Sequence, residues 1–377
     1  CIPGALPIGR NNPRQVPYNL YTEQLSGTAF TAPRRENRRT WLYRIQPSVT
    51  GLSSAEPVSL SKQNQSSSRY PTHFGGVAPT QCRAEINPLR WNPLPVDASN
   101  TDTNGEEEEV NDFISGMHLV CQAGDPATKS GLAIYMYGCQ TSMNMRSSRQ
   151  NNETDQKESG TDTHFCNHDG EFLIVPEQGR LEIVTEMGRL TVGPEEIAVI
   201  PRGMLFQVNL VQSETFSAAR GYVLEVYNSK GFQLPERGPI GSNGLANTRD
   251  FLHPVAWCVD KVSYRQQCRI LTKCSSQLFQ KMSDHSPYNV VAWHGNYLPY
   301  KYDLTRFCAV GSVSYDHLDP SIYTVLTCPS DQTGTAMADF VIFPPRVMAT
   351  DSNTLRPPWF HRNTMSEFMG LIQGQYD

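Results

Sequence analysis

The stretch that decides the fold is Gly170-Glu-Phe-Leu-Ile-Val-Pro-Glu-Gln-Gly-Arg-Leu-Glu-Ile-Val-Thr-Glu-Met-Gly-Arg-Leu-Thr-Val-Gly-Pro-Glu-Glu-Ile-Ala-Val-Ile-Pro-Arg-Gly-Met-Leu-Phe-Gln-Val-Asn-Leu210. Five short runs rich in Val, Ile, Leu and Phe are each closed by Gly or Pro. Each is too short for a helix and well suited to a strand, so the spacing predicts a sandwich or jelly roll of closely connected strands. Working outward, Asn289–Tyr297, Ile322–Thr327 and Ala338–Arg346 read as further strands and their turns. Between such blocks lie three polar stretches, 52–75, 95–109 (ending in Glu106 to Glu109) and 144–163. They lack periodicity and large apolar residues and are expected to be loops or insertions.

The composition agrees with a mainly β protein. Charged residues make up 18% of the 377, and 27 Gly with 27 Pro imply many turns and few long helices. The length exceeds what one core usually fills, so two are expected. A net charge of −5 without a basic cluster speaks against a nucleic-acid partner. No apolar run reaches the roughly 18–20 residues that span a bilayer, so no membrane association is expected. Ten cysteines without a Cys-x-x-Cys pair point to reduced thiols and a cytoplasmic protein rather than a disulfide scaffold. Cys1 in place of Met reads as a trimmed front end.

Two segments carry the chemistry. In Arg356-Pro-Pro-Trp-Phe-His-Arg-Asn-Thr-Met-Ser-Glu-Phe-Met-Gly-Leu-Ile-Gln-Gly-Gln-Tyr-Asp377, a histidine (His361) precedes a glutamate (Glu367) by six positions and Gly374 follows by seven. On a straight strand six residues span about 20 Å, so the two can share a site only if the chain turns near Asn363-Thr364. One histidine and one carboxylate are two members of a facial metal triad. In Ala292-Trp293-His294-Gly295-Asn296, His294 lies between an apolar run and a turn, a placement that suits proton exchange at a cavity rim. Against these stands the bland alternative of a packed histidine and a surface carboxylate. His164, Cys166 and His168 form a third, incomplete cluster, expected to be incidental.

His361-x-Asn363-x3-Glu367-x6-Gly374 resembles the first half of a cupin metal motif, with Asn363 in place of a histidine. The central block resembles a whole cupin core: Asn167-x3-Glu171 with Gly179 stands where its first motif belongs, and Glu195-Glu196-x4-Pro201-x-Gly203-x-x-Phe206 where its second does. Phe206 replaces the metal-binding histidine, so this barrel is expected to be metal-free. The implied fold is a bicupin of double-stranded β-helices: a larger β-rich domain over 1–282, and a smaller iron-binding one over 283–377.

Further stretches are similar to one family, the homogentisate 1,2-dioxygenases: Asn11–Thr31, Thr40–Val49, Gly238–Leu252, Val290–Tyr297 and Phe340–Arg346. The resemblance implies an Fe(II) enzyme that opens the ring of homogentisate with O2 to give 4-maleylacetoacetate in tyrosine and phenylalanine catabolism. It implies His361 and Glu367 as iron ligands, with a third histidine expected from a Pro-His-Gly turn beyond Asp377. His294 would hydrogen-bond or deprotonate a substrate hydroxyl, and Tyr376 would contact substrate. A hexamer of two trimers is also implied. A non-catalytic bicupin binding protein and a cupin dioxygenase for another substrate, gentisate or cysteine, are the competing readings.

Overall fold

The computed structural model describes residues 19–58, 70–96, 110–144, 161–211, 217–228, 230–236, 246–259, 266–309, 320–345 and 361–374. Its regular elements are strands, joined by loops and short 3-10 turns. The chain opens with β1 (Tyr21–Ser26), β2 (Arg39–Arg44) and β3 (Glu56–Pro57), then β4 (Met117–Asp125), β5 (Ser130–Cys139) and β6 (Asp162–Asn167). The central block supplies β7 (Glu171–Gln178), β8 (Leu181–Thr185), β9 (Gly188–Val192), β10 (Glu196–Ile200) and β11 (Leu205–Leu210). Then follow β12 (Ala219–Val226), β13 (Cys268–Cys274), β14 (Gln277–Ser283), β15 (Val290–Gly295), β16 (Tyr300–Asp303), β17 (Thr324–Pro329) and β18 (Ala336–Val341). All five expected runs of the central block are strands.

Two large sheets hold the core. One has the order β16-β10-β7-β12-β5-β4 and the other β3-β14-β13-β6-β11-β8-β9. Among the described residues every strand pairing is antiparallel except that of β13 with β6. Alternation along β7 sets its two faces apart. Phe172 and Ile174 enter the main core with Phe74, Phe165 and Phe206, whereas Leu173 and Val175 join a second cluster with Val226, Tyr302 and Val325.

A third sheet, β1-β2-β15, carries His294. Arg44 anchors it. Its side chain is fully buried, and its guanidinium donates to Glu23 Oε1 (2.6 Å), Glu186 Oε1 (2.9 Å), Asn289 Oδ1 (3.0 Å) and the Pro287 carbonyl (2.9 Å). A buried charge is tolerated only with such saturation, and the bonds to Pro287 and Asn289 fix the chain just before β15. Burial pushes the Glu186 carboxyl up, while Arg44 opposes the shift.

Three sequence boundaries look different in the structure. β15 pairs with β2 and β16 with β10, so residues 290–303, expected to open the second domain, are hydrogen-bonded to strands of the first. The stretch 52–75 contains β3, which edges β14, and 144–163 ends inside β6. Glu106 to Glu109 lie outside the described residues. The nine described cysteines are free thiols, and no described helix is long and apolar enough to cross a membrane.

Candidate active site

The segment from His361 to Gly374 has no regular secondary structure and docks on the outer side of β12. Phe368 packs edge-on against Tyr222 (5.6 Å between centroids) and tilted against Trp91 (6.3 Å), while Tyr222 Oη donates to the Leu371 carbonyl (3.2 Å). Within it the chain bends at Thr364-Met365. Asn363 makes the bend: its Oδ1 accepts from the Met365 amide (2.9 Å), as asparagine does in local turns. Its Nδ2 donates to Glu367 Oε1 at 2.8 Å.

The bend brings His361 Nε2 to 3.1 Å from the same oxygen, Glu367 Oε1. Hydrogen bonds from His361 foremost, and from Asn363, hold the Glu367 carboxyl below its usual range. Both side chains are about half exposed, at 47% and 53%. Imidazole nitrogen and carboxylate oxygen are the donor types of a non-haem iron site, and Asn363 supplies the outer hydrogen bond that orients such a carboxylate. No group of three His, Cys, Asp or Glu side chains able to hold a metal occurs among the described residues. Tyr376 lies outside them.

His294 lies on another sheet, exposed near the end of β15. Its recorded partner is Tyr43 on β2, whose Oη is 3.5 Å from Nε2. The next residue has to be glycine. Gly295 has φ +153°, and a Cβ there would overlap the Arg39 carbonyl oxygen and the Thr40 side chain. On the other side, Trp293 Nε1 donates to the Met187 carbonyl at 2.8 Å, pinning the strand to the main body. Tyr43 carries no motif and was not singled out by the sequence; only the β2–β15 register reveals it.

The motif-like residues of the central block do not converge. Asn167 ends β6 in one large sheet and Glu171 begins β7 in the other. Asn167 Nδ2 donates to Glu225 Oε1 (2.6 Å), while Glu171 accepts from the Phe232 amide (2.7 Å) on the opposite face of β7 from Phe172. Phe206 is sealed against Phe165 (5.5 Å) and Phe172 (6.4 Å). The interior charge beside Asn167 comes from a lysine. Lys273 Nζ contacts both Glu225 oxygens (2.8 Å each) and Asp169 Oδ2 (2.9 Å). Of the His164–Cys166–His168 cluster, His164 is a core residue whose Nδ1 meets Tyr288 Oη at 3.1 Å, and burial pushes its pKa down to about 3.

Comparison with known proteins completes the picture. The N-terminal family of homogentisate 1,2-dioxygenase matches residues 1–304 and the C-terminal family residues 305–377. A homogentisate 1,2-dioxygenase of Emericella nidulans is 48% identical over 377 residues, covering all of this chain and 74% of its own length. The Homo sapiens protein of that name is 48% identical over 376 residues with 74% of its length covered, and the Arabidopsis thaliana one 46% over 380 with 72%. At this identity across its whole length, the chain belongs to the homogentisate 1,2-dioxygenase family.

Proposed function

We propose that this protein is an Fe(II)-dependent dioxygenase that cleaves the ring of homogentisate with O2 to give 4-maleylacetoacetate, a step of tyrosine and phenylalanine breakdown. The observation that carries the site assignment is the meeting of His361 and Glu367 at 3.1 Å, in a segment bent for that purpose by Asn363. These two side chains would hold the iron together with a third protein donor. When bound, iron supplies the electron transfer to oxygen that a side chain cannot. The chain's own residues do the rest. Asn363 orients the carboxylate, and His294 hydrogen-bonds a substrate hydroxyl or holds its proton. Tyr376 contacts substrate.

The same reading places the iron in the C-terminal part of a two-cupin chain and leaves the central barrel without metal. Family membership supports assembly as a hexamer of two trimers, and the free cysteines support a cytoplasmic setting. Oxygen uptake tests the activity: iron-loaded protein should consume O2 with homogentisate and not with gentisate or cysteine. Uptake with gentisate alone would reassign the substrate, and binding without uptake would favour a non-catalytic cupin. Light scattering tests the assembly.

A further inference from the structure

A neutral histidine has two ring nitrogens, and the one that keeps the proton decides whether the ring donates to a substrate oxygen or accepts from it. The strand register determines what His294 meets. Tyr43 stands opposite Ala292 and Trp41 opposite His294, so Tyr43 and His294 are diagonal neighbours on one face of the β2–β15 pair. Their rings lie 6.0 Å apart at 28°. Tyr43 is held in place, 5% exposed, in a cluster with Val291 and Ala292, flanked by Leu20 and Cys258.

The phenol of Tyr43 has His294 Nε2 as its recorded partner among the described residues, at 3.5 Å. A largely buried hydroxyl needs somewhere to donate, and a ring nitrogen without a proton is an acceptor. A proton donated by Oη to Nε2 puts the proton of neutral His294 on Nδ1, which has no partner among the described residues. The distance is long for a hydrogen bond, as such contacts often are before substrate tightens the site. We infer that Tyr43 is a positioning residue that selects the Nδ1–H form of His294, so that this histidine presents a donor to the substrate oxygen rather than an acceptor lone pair. The inference rests on the role given to His294 above and chooses between its two forms.

The test uses the full iron-loaded protein and three variants: Tyr43→Phe, His294→Ala and the double variant. Tyr43→Phe should lower kcat roughly 5- to 10-fold, the worth of one hydrogen bond. KM should stay within about twofold and iron content unchanged, since a uniform binding defect would move KM instead. The double variant should be no slower than His294→Ala, because Tyr43 acts only through that ring. Parental kcat in Tyr43→Phe, or a double variant slower by the product of both single losses, overturns the inference. Near-normal turnover in His294→Ala would instead overturn the reading of His294 itself. Solid-state nitrogen NMR of the histidine-labelled parent, assigned by the signal lost in His294→Ala, gives an answer even if Tyr43→Phe does not fold. A protonated Nδ1 supports the inference, and a protonated Nε2 overturns it.

Discussion

Asn167 and Glu171 are four residues apart, and so are Asn363 and Glu367, yet the two pairs do opposite things. In the central block a turn between the sheets separates the pair: the asparagine is spent on Glu225, and the glutamate is buried on the far face of β7. In the C-terminal segment the chain bends within the spacing itself. There the amide of Asn363 grips the carboxylate of Glu367, with His361 on the same oxygen. Of the first pair, Asn167 is bonded to Glu225, whose charge the Lys273 ammonium offsets, and Glu171 accepts from the Phe232 amide. The second is about half open to solvent. Spacing offers a site, and the surroundings decide whether it is used for chemistry or for packing.

The largest effect should come from breaking the second pair. Glu367→Ala should lose its iron and more than about 10²-fold in turnover, since even residues that only orient a ligand are worth about 10- to 100-fold. Glu171→Ala should keep its iron, about one per chain, as should His164→Ala. Metal analysis beside oxygen uptake checks this. A Glu367→Ala protein that retains iron, or a Glu171→Ala protein that loses it, reverses the comparison.

Next comes His294, which stands outside both pairs. His294→Ala should keep iron but slow turnover by about 10²–10⁴, the range for a positioned acid or base. Normal iron with normal turnover would remove it from the mechanism.

In the central barrel the expected loss is of stability. Lys273→Ala leaves Glu225 and Asp169 buried without their cation, a change that costs about 3–5 kcal/mol when one partner of a buried pair is removed. Burial alone would raise the Asp169 carboxyl, but Lys273 and the Ser275 and Ser276 amides hold it below its usual range. Chemical denaturation measures the effect. A loss under about 1 kcal/mol would mean that the cluster is wetter than it looks.

The strands of the central block were legible because each is a short apolar run with its own Gly or Pro stop, and local propensity and tertiary role agree there. The need for a bend at Asn363-Thr364 was legible too, from reach alone. What could not be read was partnership across long separations. The parallel pairing of β13 with β6 brings Lys273 beside Asn167, and β2–β15 brings Tyr43 to His294. Both contacts join residues more than a hundred positions apart, and no local pattern encodes them. The Asn167–Glu171 spacing does not bring the two side chains together, because the turn between them carries the chain from one sheet to the other.

The smallest effect sharpens the second pair from the side of pH. In metal-free protein, hydrogen bonds from His361 and Asn363 lower the Glu367 carboxyl from its ordinary 4.5. A carboxyl lowered by folding adds stability that is present above its unfolded value and lost as pH falls through the folded one. The bent segment should therefore loosen only in acid, below about pH 4.5. The contribution is small, under about 1 kcal/mol, because both side chains are half exposed and salt screens such contacts. Asn363→Ala should move the Glu367 titration, followed by carbon NMR of its carboxyl, part of the way back towards 4.5, and His361→Ala should move it further, since the His361 bond is the larger cause. If neither variant moves it, the carboxylate is not held by these partners. The contrast with the buried Asn167–Glu171 pair would then rest on burial alone.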